Sequence, residues 1–394
     1  MRPPRPRPLL RPRLGLLLGL LPGLCGATAR AEAPGLVLTV AGPPVPAVSG
    51  AACDAADIPD APARAIRRAD GSVQLYATSQ RNRLDEGPGL LQLRHGCTVV
   101  LAGAGQDDPA AFNDRAWLAS PWTRDGRTLW AVVHNEFHGH RRPALCLSGR
   151  YMDCWYNALT AAVSHDGGRT FARAPGPALV ATLPYRYDEV GRGHHGYFNP
   201  SNIVSLGGAQ LMFAFATRAN AQRPGNCLLR TDAIEQADRW RAWDGSGFGV
   251  AFIDPYAPAG PGGLQPERHV CTPVGPNGLR WPVTSLVRHA PSGLFLAMMQ
   301  DAAPGGGVFY ATSSDLLHWS DPARLMPATG PGFWTCADPP PLAFPSLLDP
   351  GSPDRNFETV GGQAVLFATR FNVAECRIGM DRSLVRWPVT VTRP

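Results

Sequence analysis

An apolar run that enters a polar turn containing Asp, and then meets an aromatic residue, recurs four times in this chain. The copies are residues 158–171, turning at Asp166; 227–240, turning at Asp232; 308–319, turning at Asp315; and 376–387, turning at Asp381. The aspartates are 66, 83 and 66 residues apart. Periods of this size mark arrays of one supersecondary unit. Two further strand-like runs precede each copy: 116–120 and 128–133, 202–205 and 210–216, 283–287 and 294–299, and 344–348 and 364–369. Gly, Asp or Ser fills the links between paired runs, as hairpins require. A weaker first unit runs through 63–67, 73–78, 90–94 and 97–101. No long segment has helical periodicity.

Five units of four strands predict an all-β fold, a five-bladed β-propeller of four-stranded antiparallel blades. The alternative is a two-sheet sandwich built from the same hairpins, which the regular spacing of the Asp turn disfavours. Residues 34–48 are expected to supply a strand that closes the ring. With 43 Gly and 41 Pro among 394 residues, the chain has the turn residues that many short strands need.

The first 31 residues read as a secretory signal peptide, which leaves 32–394 as a single propeller domain. Arg2, Arg5, Arg7, Arg11 and Arg13 form a basic start, residues 14–24 a short apolar run, and Ala29-Arg30-Ala31 a small-x-small cleavage site. The apolar run is too short to span a membrane, which takes about 20 residues. The formal charge of +6 resides in this segment. It holds six Arg and no acid, so the remainder balances 31 acids with as many bases. Nothing in that balance points to nucleic acid. Beyond Cys25 there are eight cysteines, an even number with no C-x-x-C pair, which in an exported chain predicts disulfides rather than a zinc ribbon. Sequential pairing is expected, with Cys146–Cys154 the most local bridge. The expected location is secreted or periplasmic, with no stable membrane insertion.

Ser164-His-Asp166-Gly-Gly168-Arg-Thr170-Phe171 resembles the Asp-box of sialidases and related propellers. Ser314-Asp315-Leu-Leu-His-Trp319 resembles the Ser-x-Asp-Leu-x-x-Trp turn of five-bladed arabinanase- and fructosidase-like glycosidases. The likeness extends over most of the chain at the level of blades and singles out no one enzyme family. It implies a site at the central channel, with a carboxylate at the start of the first blade, a second on the next blade and an acid on the third. Asp60 and Asp114 match the first two by location. The run 199–202 has no carboxylate for the third, and Glu189 lies upstream.

His134-Asn135-Glu136-Phe137-His138 closes the second strand of the second unit. Period-two alternation places His134, Glu136 and His138 on one face. Such a cluster suits proton transfer, since a carboxylate can orient an imidazole or have its own pKa raised. No cofactor is expected, unless these three side chains hold a divalent metal. The candidate catalytic set is therefore Asp60, Asp114, Glu136 and His134. Arg64, Arg115, Asn135, His138, Trp155, Tyr156, His195, Asn199, Asn202 and Trp281 are expected to bind an oligo- or polysaccharide, since aromatic rings stack on sugar C–H faces and Asn and Arg bind hydroxyls. Two functions compete: a glycoside hydrolase, with a metal- or His-assisted lyase as a variant, and a propeller that binds glycan or protein without turnover. Convergence of the acids on one cavity would favour the enzyme.

Overall fold

Short, largely apolar runs become most strands of five antiparallel modules. A computed structural model describes residues 34–47, 53–77, 79–174, 178–258 and 265–394; the signal-like segment 1–31 lies outside them. In chain order, β1 is Val37–Val40. The first module contains β2 (Arg64–Arg67), β3 (Val73–Tyr76), β4 (Asp85–Gly89) and β5 (Gln92–His95). The second has β6 (Arg115–Thr123), β7 (Leu129–His138) and β8 (Cys154–Ser164), edged by β9 (Ala172–Arg173). The third has β10 (Gly193–Phe198), β11 (Val204–Leu206), β12 (Ala209–Ala216), β13 (Gly225–Thr231) and β14 (Arg241–Ala242). The fourth has β15 (Val283–His289), β16 (Phe295–Asp301), β17 (Gly307–Ser313) and β18 (Ala323–Pro327). The fifth has β19 (Leu342–Leu348), β20 (Gln363–Ala374) and β21 (Arg377–Thr392), completed by β1 from the other end of the chain, paired Val37↔Thr392 to Val40↔Val389.

The modules form a closed ring, and two observations show it. Each neighbouring pair encloses its own apolar layer. Ile66, Tyr76, Leu118 and Leu129 lie between modules one and two. Tyr156, Leu159, Met212 and Leu229 lie between two and three. Phe213, Leu228, Leu286 and Phe295 follow, then Leu296, Val308, Leu366 and Trp387. Leu75, Val73, Leu348 and Phe367 return from module five to module one. The inner strands are also stitched in the same order. Arg64 Nε–H donates to Ala119 O, Ser120 Oγ to Ser201 O, Leu286 N–H to Asn202 Oδ1, Leu347 N–H to Ser285 Oγ, and Ser346 Oγ to Ala63 O. This is a β-propeller, with one strand of its last blade drawn from the N-terminal side.

Arg64 pins the axis. Its guanidinium donates to Ala63 O, Ala119 O, Pro200 O, Thr284 O and Ser346 Oγ, one acceptor from each module. The residue is 2% exposed. A planar group with five donors can serve five converging strands; the ring of acceptors retains its proton, although burial lowers its pKa.

Parts of the sequence reading are corrected. Asp166 and Asp315 do make the expected turns, each accepting two turn N–H groups through Oδ1. Asp381 does not: it lies inside β21 and is exposed, at the irregularity where the register with β20 shifts between Phe371↔Arg382 and Val373↔Ile378. In module one the third strand is Asp85–Gly89, not residues 90–94. Its Asp-Glu-Gly-Pro-Gly composition reads as a turn, yet it pairs with both β3 and β5. Modules two and three are not separate sheets. The start of β8 runs parallel beside β10, Cys154↔Gly193 to Asn157↔Gly196, and this junction forms one wall of the cleft described next.

The eight described cysteines form Cys53–Cys97, Cys146–Cys154, Cys227–Cys271 and Cys336–Cys376, the sequential pairing. Among the described residues no helix is long and apolar enough to cross a membrane.

Candidate active site

A cleft of about 870 Å³ opens over the axis. Its floor comes from the entries of inner strands: Asp60, Ala61 and Pro62 before β2, Arg115 and Trp117 on β6, Asn199 and Pro200 after β10, and Phe344 on β19. Asn199 and Phe344 have left-handed backbones, with φ of 50° and 60°. Both precede a proline, and both sit where an inner strand turns a residue towards the cleft. Such conformations are uncommon for non-glycine residues and gather at functional sites.

The second wall is set by strand register. In β6 and β7, Arg115 lies opposite Glu136 and Trp117 opposite His134, so these four side chains occupy one face. Trp155 on β8 is opposite His194 on β10, and their rings stack with centroids 4.0 Å apart. His194 stacks in turn on Phe198 at 4.7 Å. Tyr151, 4.7 Å from Trp155, closes this side. Arg382 and Phe371, cross-strand neighbours in β20 and β21, close the other.

Asp60 and Glu136 are the only carboxylates lining the cleft among the described residues. Burial and the facing charge of Asp60 hold the Glu136 pKa well above the usual 4.5, against the pull of Arg115. Burial also raises Asp60, against an ion pair with Arg382 and a 3.3 Å hydrogen bond from Trp117 Nε1–H. The imidazoles around them are neutral. Burial lowers His134 and His138 to about 3 and His194 to about 4.

His138 Nε2 lies 2.7 Å from Glu136 Oε2, close enough to share one hydrogen, while its buried Nδ1 has no hydrogen-bond partner. The other carboxyl oxygen, Oε1, is 3.8 Å from His134 Nε2.

Of the residues singled out from the sequence, Asp60, His134, Glu136, Arg115, Trp155 and Asn199 line the cleft, and His138 stands behind Glu136. The others do not line it. Asp114 accepts the His138 backbone N–H and pairs with Arg142 at 3.0 Å; these contacts outweigh burial and lower its pKa. Arg64 is the axial pin. Asn135 points to the opposite face of β7, onto Thr160 Oγ1. Tyr156 is a core ring whose hydroxyl donates to Tyr185 O. Asn202 is occupied with Leu286, and Trp281 stacks on Phe309. His195 faces the carbonyls of Arg192 and Arg218, and Glu189 is exposed.

The structure adds His194, Tyr151, Phe198, Phe371 and Arg382. The dipeptide His194-His195 carried a signal, since strand alternation decides which ring faces in. Arg382 carried none: it meets Asp60 across a sequence separation of 322. His134, Glu136 and His138 do not gather three donor atoms within 4.8 Å of one another. Cys53, Asp57 and His95 do, but Cys53 is tied to Cys97 and both nitrogens of His95 are taken by Asp57 and Asp85, so this set does not fit a metal.

No family model matches the chain. No curated protein matches it in sequence. Solved structures that it resembles include the catalytic domain of the GH62 α-L-arabinofuranosidase of Coprinopsis cinerea, at 9% identity and a TM-score of 0.47, covering 91% of this chain and 98% of that one. The GH43_1 enzyme from Xanthomonas citri complexed with xylotriose is 14% identical, with a TM-score of 0.47 and coverage of 88% and 89%. The α-L-arabinanase of Cellvibrio cellulosa is 12% identical, with a TM-score of 0.44 and coverage of 84% and 91%. What the chain does has to be read from its cleft.

Proposed function

We propose that the protein is a glycoside hydrolase acting on oligo- or polysaccharide in an oxidising compartment outside the cytoplasm, after removal of residues 1–31. The observation that carries this reading is the meeting of Glu136 and Asp60 in one aromatic-lined cleft. Hydrolysis of a glycosidic bond needs a protonated acid beside the leaving oxygen and a second carboxylate across the sugar ring. Glu136 supplies the first: burial and the facing charge of Asp60 raise its pKa, which favours the protonated acid, and His138 holds its carboxyl in place. Asp60 supplies the second, as base or nucleophile. The separation of the two carboxyls during turnover sets the stereochemistry, about 5–5.5 Å for retention and 6.5–9.5 Å for inversion. Asp114 acts from behind: its negative charge also raises Glu136, and its bond to the backbone N–H of His138 positions that residue. Trp155, Tyr151, Phe198 and Phe371 offer faces for sugar rings. The Asp-turns at Asp166 and Asp315 lie outside the cleft and are part of the blades, not of the chemistry.

One feature favours binding without turnover, the ion pair that engages Asp60 with Arg382. The test is a screen of the purified protein against plant, bacterial and host glycans with chromatography of released sugars, followed by D60N on the substrate found. The hydrolase reading expects release by the wild type and a loss of at least ~10²-fold in D60N. Binding with no release from any glycan, or full activity in D60N, contradicts it.

A further inference from the structure

Arg115 is a cleft cation with no partner among the described residues. No carboxylate oxygen comes within 4.0 Å of its guanidinium, and its Nε is buried without a hydrogen-bond acceptor. Its expected partner is Glu136, directly opposite on the neighbouring strand. Glu136 instead turns its carboxyl to His138 at 2.7 Å and His134 at 3.8 Å. The other cleft acid, Asp60, is taken by Arg382. Only Nε is shielded; the residue is half-buried, and its terminal nitrogens stay open to the cleft with no acceptor, a free planar fork suited to an anionic group.

The ion pairs of the cleft say what completes it. The lining contains two guanidiniums and two carboxyls: Arg382 is paired with Asp60, and Glu136, whose pKa burial raises, turns to His138. The guanidinium left without an ion pair is that of Arg115. From this arrangement we infer that the cleft takes an acidic glycan, with Arg115 pairing the carboxylate of a uronic acid residue. The planar fork of arginine matches a carboxylate with two parallel N–H···O bonds. The inference rests on the glycan-binding reading of the cleft and adds the substrate class to it. It also gives the protonated state of Glu136 a second use, since an ionised Glu136 across from Arg115 would compete with the sugar for the same cation.

Calorimetric titration of the E136Q variant tests this. Gln retains the neutral charge of the protonated acid and suppresses turnover during the measurement. The probes are oligogalacturonate, glucuronoxylan and hyaluronan fragments, each beside its carboxyl-reduced counterpart, and a sulfated neutral oligosaccharide. At least one uronate probe is expected to bind tenfold or more tightly than its reduced form. Adding R115Q should erase that difference while leaving the reduced form within threefold, and R115K should restore only part of it. Melting temperatures of the variants check that all are folded. Equal binding of acidic and reduced forms, a preference that survives R115Q, or a preference for sulfate alone overturns the inference. Its failure is separable from that of the hydrolase reading. Uronate bound but not cleaved by the wild type removes the hydrolase and leaves the acidic site; neutral glycan cleaved without preference for acid does the reverse.

Discussion

At the scale of single residues, the molecule uses charge in three different ways. Arg64 is a cation satisfied entirely by oxygen atoms of the fold, Arg115 one satisfied by none, and His95 one clamped between two acids. Removing Arg64 would leave the carbonyls of Ala119, Pro200 and Thr284, and Ser346 Oγ, without this donor, each costing about 1–3 kcal/mol if water cannot replace it, while Ala63 O keeps its bond from Ser346 Oγ. R64M is therefore expected to lower unfolding free energy in urea by at least about 4 kcal/mol; a loss below about 1 kcal/mol would show that the axis does not depend on this residue. His95 bonds Asp85 and Asp57, each at 2.7 Å; the Asp85 bond is the largest cause, and together they lift its pKa to about 9. Because the folded value lies above the unfolded 6.5, this stabilisation is complete below pH 6.5 and disappears as pH rises through 9. Urea titrations at pH 6 and pH 9.5 should differ by up to about 3 kcal/mol from this source, and H95Q should flatten that difference. The sequence showed that His134, Glu136 and His138 share a face, because alternation in a strand is local. It could not show that Arg64 faces the axis while Arg115 faces the cleft, since both stand at the entry of an inner strand and only the closed ring separates them.

At the scale of elements, the legible features were those a strand or turn imposes on its own residues. Asp166 and Asp315 make their turns with neighbours two to four residues away, and the paired runs of modules two to five are strands near their expected places. The failures lie where pairing overrules local composition. Asp85–Gly89 is a strand because β3 and β5 flank it, and Asp381 falls at a bulge of the β20–β21 hairpin, not in a turn between blade strands. The loops around the cleft belong to the same scale. Cys146–Cys154 ties the segment that presents Tyr151, and Cys336–Cys376 ties residues near Pro331 to the hairpin carrying Met380 and Arg382. A C146S/C154S variant should lose about 2–3 kcal/mol of stability by loop entropy. It should also raise KM for the substrate severalfold with kcat within about twofold, because the loop shapes the wall and leaves Glu136 in place. An unchanged KM would place this loop outside the substrate's reach.

At the scale of the whole molecule, closure creates the site. Asp60 comes from the entry of the first blade, Glu136 from the second, His194 and Asn199 from the third, Phe344, Phe371 and Arg382 from the fifth, and a ring of five apolar layers brings them to one cleft. The closing strand Val37–Val40 pairs with one end of β21, and Arg382, the partner of Asp60, lies further back on the same strand. The most direct test of the account is the dependence of E136Q on leaving group. A general acid is needed for a sugar leaving group and is dispensable for a dinitrophenyl one, which departs without protonation. On the glycan that the wild type cleaves, E136Q should lose ~10²–10⁴-fold in kcat, while on the matching dinitrophenyl glycoside it should stay within about tenfold of wild type. Equal loss on both substrates, or no loss on either, would contradict the assignment of Glu136 as the acid on which the proposed reaction depends.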